Sequence, residues 1–270
     1  VSSLSTPASH PLDPDAPGPL LVLLDPVAKQ ADGESMRIAK DVLCGGADCK
    51  VALPESPSEL DRVLSHRGRR RPVVIGSDQA VQRVLQALHR QRELGADPVG
   101  VVPVGRPAAT GSVRALGVPA EPVAAARAVL GGAPRKLDLL VDDGGGVVLG
   151  EVRFTGPRLG RPGGWRSLWA KLAAAEQAKG PAVEELRIEA DGRLLADIHQ
   201  EVGRLRVGMA DGVMELSLRL DGRHQLHRVA TLSVTGRAFG YEADGVPLGP
   251  VRQRTWTVHA GSWALLLPSG

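Results

Sequence analysis

The stretch that most constrains the fold is Pro72-Val-Val-Ile-Gly-Ser-Asp-Gln-Ala-Val81. A β-branched run feeds a glycine, a serine and a carboxylate, and Val81, Val84, Leu85 and Leu88 then recur at the i, i+3, i+4, i+7 spacing of an amphipathic helix. Open α/β sheets hold ligands at such turns, beyond the carboxyl ends of their strands.

The flanking sequence repeats this alternation. Leu20-Leu-Val-Leu-Leu24 is a continuous apolar run suited to a parallel strand covered on both faces, and Asp25-Pro26 ends it. Met36, Ala39 and Leu43 predict a helix that Cys44-Gly45-Gly46 breaks. Lys50-Val-Ala-Leu53 predicts a second strand. Ser56-Pro57-Ser58-Glu59 then has a serine cap, proline at the first helical position and glutamate at the third, ahead of Leu60, Val63 and Leu64. Val73-Val-Ile75 and Val99-Gly-Val-Val102 complete the strands, Pro103 to Gly111 is a loop, and a helix over Pro122 to Leu130 closes at Gly131-Gly132. Strands and helices alternating at this pitch predict βαβ units and a mostly parallel sheet.

After Leu137 the pattern changes. Leu137 to Val141 and Val147 to Phe154 flank Asp143-Gly-Gly-Gly146 as a hairpin. A helix carries Trp165, Leu168, Trp169 and Leu172 on one face. Leu186 to Ala190, Val213 to Leu220 and Val229 to Val234 alternate with period two, and Asp191-Gly192, Asp211-Gly212 and Asp221-Gly222 punctuate the region. The second half is thus expected to be an antiparallel sheet or sandwich. The chain divides into a disordered tail (1–19), an α/β unit (20–137), a β-rich unit (138–262) and a closing strand (263–270).

Composition narrows the function. A formal net charge of +3 on 270 residues suits anionic ligands or lipid headgroups and is too weak to argue for nucleic acid. The run Arg67-Gly-Arg-Arg-Arg71 reads as a solvated loop. Cys44 and Cys49 lack the second pair a zinc site needs, and no metal site is expected. His224-Gln-Leu-His227 has no third ligand. There is neither a Gly-x-x-x-x-Gly-Lys-Ser/Thr nor a Gly-x-Gly-x-x-Gly sequence. No apolar segment is long enough for a membrane helix, so the expected location is the cytoplasm.

In order and spacing, these segments resemble the bacterial diacylglycerol kinase family, which pairs a Rossmann-like nucleotide-kinase domain with a C-terminal antiparallel β-sandwich. Gly76-Ser77-Asp78-Gln79-Ala80 stands where the family has Gly-Gly-Asp-Gly-Thr. Pro103-Val104-Gly105 begins the place of its Pro-Leu-Gly-Thr-Gly-Asn-Asp, and Arg114-Ala-Leu-Gly-Val-Pro119 resembles its Arg-x-Leu-Gly-Ile-Pro. Arg135-Lys-Leu-Asp138 and Leu265-Leu-Leu-Pro268 resemble the entry to the second domain and the closing strand. Asp25-Pro26 replaces Asn-Pro-x-Ser-Gly, and Asp244-Gly245-Val246 replaces Asp-Gly-Glu. The resemblance implies ATP and Mg as cofactors if the protein is active, and nucleotide and lipid as partners. It also implies a peripheral membrane contact and a homodimer. Asp78 is its surviving candidate catalytic residue, and Asp25, Gly76, Ser77, Gly105, Asp244 and Gly245 are its candidate cofactor-binding positions.

The departures predict weak or lost activity. Consecutive glycines let a backbone approach phosphate oxygens; here Ser77 and Gln79 stand in that approach, and Ala80 replaces the threonine. Val246 replaces the family's glutamate, and Arg106 to Ala109 offers no Asn-Asp pair. Asp78 is either the remaining base or metal contact or an exposed carboxylate at a helix N-cap. Two other readings stand beside this one: an active ATP- and Mg-dependent lipid kinase, and an NAD-kinase-like phosphotransferase, since NAD kinases share the Gly-Gly-Asp-Gly-Thr loop.

Overall fold

The computed structural model describes residues 18–154 and 185–269. Most of the tail and the segment bearing Trp165, Leu168, Trp169 and Leu172 lie outside them.

The first unit is a four-stranded parallel sheet in the order β2-β1-β3-β4, from Leu20–Leu24 (β1), Cys49–Ala52 (β2), Arg71–Gly76 (β3) and Gly100–Pro103 (β4). Helices Gly33–Gly46 (α2) and Pro122–Gly131 (α6) pack on one another, as do Pro57–Ser65 (α3) and Asp78–Arg90 (α4). The strand order reverses between β1 and β3, which makes that crevice the topological switch point. Leu20 to Leu23 and Val73 to Ile75 are all buried, as expected of strands covered on both faces.

Local capping sets the helix starts. Ser56 accepts from the Glu59 amide at 3.2 Å, with Pro57 at the first helical position. Asp25-Pro26 does more than end a strand. It opens a short helix, Pro26–Ala31 (α1), in which the Asp25 carboxylate accepts from the Val27 amide at 3.1 Å. Helix α2 runs through Cys44-Gly45-Gly46 to a cap at Ala47. The Arg67 to Arg71 run is a loop solvated only at its tip: Gly68 and Arg69 are exposed, whereas Arg67 is buried and paired with Glu93 and Asp97, Arg70 pairs with Asp48, and Arg71 begins β3. The Pro103 to Gly111 loop contains a single 3-10 turn and leads into a five-residue helix, Gly111–Ala115 (α5).

The second unit is one hydrogen-bonded antiparallel sheet of ten strands among the described residues. Its main path runs β12-β11-β10-β7-β13-β14-β5-β6, with β8 on β13 and β9 on β8. The strands are Ala133–Asp142 (β5), Val147–Val148 (β6), Val152–Phe154 (β7), Leu186–Ala190 (β8), Arg193–Ala196 (β9), Val202–Ala210 (β10), Val213–Leu220 (β11), Arg223–Val229 (β12), Thr231–Ala243 (β13) and Val246–Leu267 (β14). The run Val229 to Val234 is split, because the chain turns at Ala230 between β12 and β13.

Each of the Asp191-Gly192, Asp211-Gly212, Asp221-Gly222 and Asp244-Gly245 turns has positive φ at both residues, the conformation that two-residue hairpins select. The sheet folds over so that the β10–β11 turn meets β5 and β14: the Asp138 carboxylate accepts from the Gly212 amide at 2.7 Å and the Gly261 amide at 2.8 Å.

Two cores result, and β5 and β6 form the wall between them. Leu139, Val141, Val147 and Leu149 face the core of the parallel sheet, while Leu140 and Val148 face the sandwich core with Phe154, Tyr241 and Trp256. Strand β14 serves both. Trp256 lies in the sandwich core, and Trp263 and Leu265 to Leu267 lie in the other. Beyond a bulge after His259, the end of β14 reaches β4's neighbour Val99: the Val99 amide donates to Ala264 O at 2.7 Å and Leu266 donates to Val99 O at 3.0 Å. Among the described residues no helix is long and apolar enough to cross a membrane.

Candidate functional site

Gly76 ends β3 against Asp25, at the end of β1. A Cβ at position 76 would collide with the Cβ of Asp25, so the glycine is required by this strand-to-strand approach; its φ is not positive. Asp25 is buried. Its Oδ2 accepts from Ser77 Oγ at 2.6 Å and the Ser77 amide at 3.2 Å. Its Oδ1 accepts from Val27 and, at 3.4 Å, from the half-exposed Arg83. Ser77 is the N-cap of α4, accepting from the Ala80 amide at 3.4 Å. Gln79 is exposed, so only Ser77 of the two expected obstructions is held at the strand end.

Asp78 is neither exposed nor the cap. It is the first residue of α4, buried, and both carboxylate oxygens reach α5: Oδ2 accepts from the Ser112 amide at 2.8 Å and Oδ1 from Val113 at 3.0 Å. Thr110, at the N-cap of α5, makes no side-chain capping bond. Asp78 therefore supplies from another segment the acceptor that helix starts require.

Asp244 lies at the β13–β14 turn with φ +48°. Its Oδ2 accepts from the Leu149 amide at 2.7 Å and Gln82 Nε2 at 2.5 Å; Oδ1 accepts from Gly150 at 2.7 Å and Glu151 at 3.1 Å. Burial pushes this carboxyl above the usual carboxylate range, against the pull of the four donors. Gly245 is exposed, with positive φ that the turn uses, and Gly105 follows β4 with φ +128° and open space where a Cβ would lie. Glu242, the remaining nearby carboxylate, faces Arg153 at 3.8 Å.

The residues that sequence reasoning missed lie along α4. Asp78, Gln82 and Gln86 form an i, i+4, i+8 stripe: Asp78 grips α5, Gln82 grips Asp244, and Gln86 Nε2 donates to Gly145 O at 3.0 Å. His89 continues it, edge-on to His259 of β14 with ring centroids 5.4 Å apart. The detectable signal was this polar stripe beside the apolar Val81, Val84, Leu85 and Leu88 face. It fastens the first unit to the second along the boundary where the candidate residues gather.

A cleft of about 160 Å³ remains beyond the β1–β3 switch point, with apolar walls from Leu23, Val74 and Val84 and with Asp25, Glu55 and Arg83 as its charged groups. A magnesium ion does not fit the carboxylates as placed. Asp25 and Asp244 each already accept four hydrogen bonds and Asp78 one on each oxygen, and no three His, Cys, Asp or Glu side chains among the described residues are grouped to hold a metal. His224 and His227 do not converge, since their pairing partners Arg219 and Leu216 lie on opposite faces of β11.

No family model matches the chain, and no curated protein matches it. Solved structures do. Two described as "a putative diacylglycerol kinase" from Bacillus anthracis str. Sterne superpose with TM-scores of 0.65 and 0.68 at 12% and 14% identity, each covering 93% of this chain and 98% of theirs. A third, of diacylglycerol kinases from the same organism, has a TM-score of 0.64 at 13% identity over 92% of this chain and 96% of that one. The parallel sheet with its appended antiparallel sheet is the two-unit fold of these bacterial diacylglycerol kinase structures.

Proposed function

We propose that this chain is a diacylglycerol-kinase-like protein of the cytoplasm in which ATP-dependent lipid phosphorylation is weak or lost, and which acts by binding a nucleotide or a lipid. The observation that carries the reading is the condition of the three carboxylates. Asp25, Asp78 and Asp244 each hold backbone amides or side chains of the protein itself. Phosphoryl transfer needs groups free to orient the attacking hydroxyl and to hold charge-neutralising metal ions. Freeing a carboxylate from donors of this kind costs roughly 1.5–3 kcal/mol per bond. The serine hydroxyl at position 77 also occupies the strand end, bonded to Asp25.

A second reading, an active lipid kinase using Asp78 as base, is favoured by the cleft that persists at the switch point with Arg83 at hand for an anion. The test is phosphoryl transfer from Mg-ATP to diacylglycerol and to NAD, with nucleotide binding followed by calorimetry. The expected result is no turnover above a heat-treated control with either acceptor. Turnover that disappears in a folded Asp78→Asn variant would overturn the proposal. Turnover on NAD alone would place the chain with NAD-kinase-like phosphotransferases.

A further inference from the structure

We propose that the outer face of β10, β11 and β12 is a docking surface for anionic lipid headgroups. The observation is independent of the Asp25, Asp78 and Asp244 region and of any catalysis there. Cross-strand register places Arg204 of β10 opposite Arg219 of β11, and Arg219 opposite His224 of β12. The next row on the same face sets Arg206 against Ser217 and Ser217 against Leu226. Arg204, Arg206, Arg219 and His224 are exposed, and among the described residues none of the three arginines is in an ion pair. They rim an open depression of about 450 Å³ with Ser217, whose Oγ lies 2.8 Å from His224 Nε2.

Like charges directly opposite on a sheet destabilise it unless something neutralises them. The charge on this face is also arranged. Arg153 on the neighbouring β7 is already matched by Glu151 and Glu242, and Glu215 and Asp211 lie with Arg228 at the far end. Among the described residues of this face, the arginines without a carboxylate partner are thus the three around the depression, whose end at the β11–β12 turn carries Asp221 and Glu201.

Leu226 decides which anion fits. It stands on this same face, 73% exposed. Nucleic acid would gain little from an aliphatic side chain there, whereas a basic surface with a protruding leucine suits a bilayer, the arginines at the headgroups and the leucine in the acyl boundary.

The test is co-sedimentation of the full chain with phosphatidylcholine vesicles and with vesicles containing phosphatidylglycerol. Binding is expected only to the anionic vesicles and to fall with salt. Arg204→Gln and Arg219→Gln should each weaken it about fivefold. Leu226→Gln should weaken it with an unchanged salt slope. Because Arg219→Gln removes a like-charge pair, its Tm should not fall, which separates lost binding from lost folding. Equal binding to neutral and anionic vesicles, or binding indifferent to all three substitutions, overturns the proposal. So does a stronger, Leu226-independent affinity for duplex DNA.

Discussion

Asp78 joins two segments that are far apart in sequence, and its two oxygens are the only side-chain acceptors described for the Ser112 and Val113 amides. Asp78→Ala would leave two amides at the start of α5 without a partner, the Val113 bond being buried. A loss of roughly 2–4 kcal/mol in denaturant unfolding is expected from charge-assisted bonds of this kind. Asp78→Asn keeps one acceptor oxygen and should lose about half as much. A residue held only for catalysis would show neither loss, so unfolding midpoints of the two variants separate an anchoring from a purely chemical role. The sequence exposed the residue and not the partner: Gly76-Ser77-Asp78 marks a strand-to-helix turn from local composition alone, but α5 reaches Asp78 only through the tertiary fold. Gly76 illustrates the same boundary. Its identity suggested approach to a phosphate, and the neighbour it makes room for is Asp25.

At the level of elements, legibility followed locality. The Asp-Gly turns, the Ser56-Pro57 helix start and the apolar face of α4 depend on neighbours within a few residues, and they are formed as the sequence reads. Helix α5 was hidden because it is five residues long, has little periodicity and takes its cap from elsewhere. Strands β5 and β6 read only as a hairpin, yet adjacent residues in them serve two cores, as Leu139 and Leu140 do. The α4–β14 contact has a consequence for pH. Burial, and next the neighbouring His259, lower the pKa of His89 below its ordinary 6.5. The unfolded chain therefore takes up this proton more readily than the folded one. The contribution is present above about pH 6.5 and is lost as pH falls through the lower folded value. Thermal melts between about pH 5 and about pH 8 should show acid destabilisation that is smaller in His89→Gln. Parallel wild-type and variant curves would exclude this source.

For the whole molecule, the shared strand β14 matters more than either sheet alone. It runs from the Asp244-Gly245 turn, past Trp256 in the sandwich core, to Trp263 and Leu265 in the core of the parallel sheet. Strand β5 pairs with it from Trp256 to Leu267, so neither core can lose β14 without the other losing part of its wall. The polar stripe on α4 adds a second fastening. Cooperative unfolding of both units is the expected result, although a chain of this length could in principle behave as two independent domains. Two single-tryptophan reporters test this: with Trp165 and Trp169 both replaced by Phe, Trp256→Phe leaves Trp263 alone and Trp263→Phe leaves Trp256 alone, each keeping an aromatic ring in its core. Their fluorescence transitions in urea should coincide. Leu265 is buried in the first core and donates nothing to the second. Leu265→Ala should lower stability by about 2–5 kcal/mol and shift the Trp256 signal together with the Trp263 signal. If only the Trp263 transition moves, the two units unfold separately and β14 acts as a tether between them.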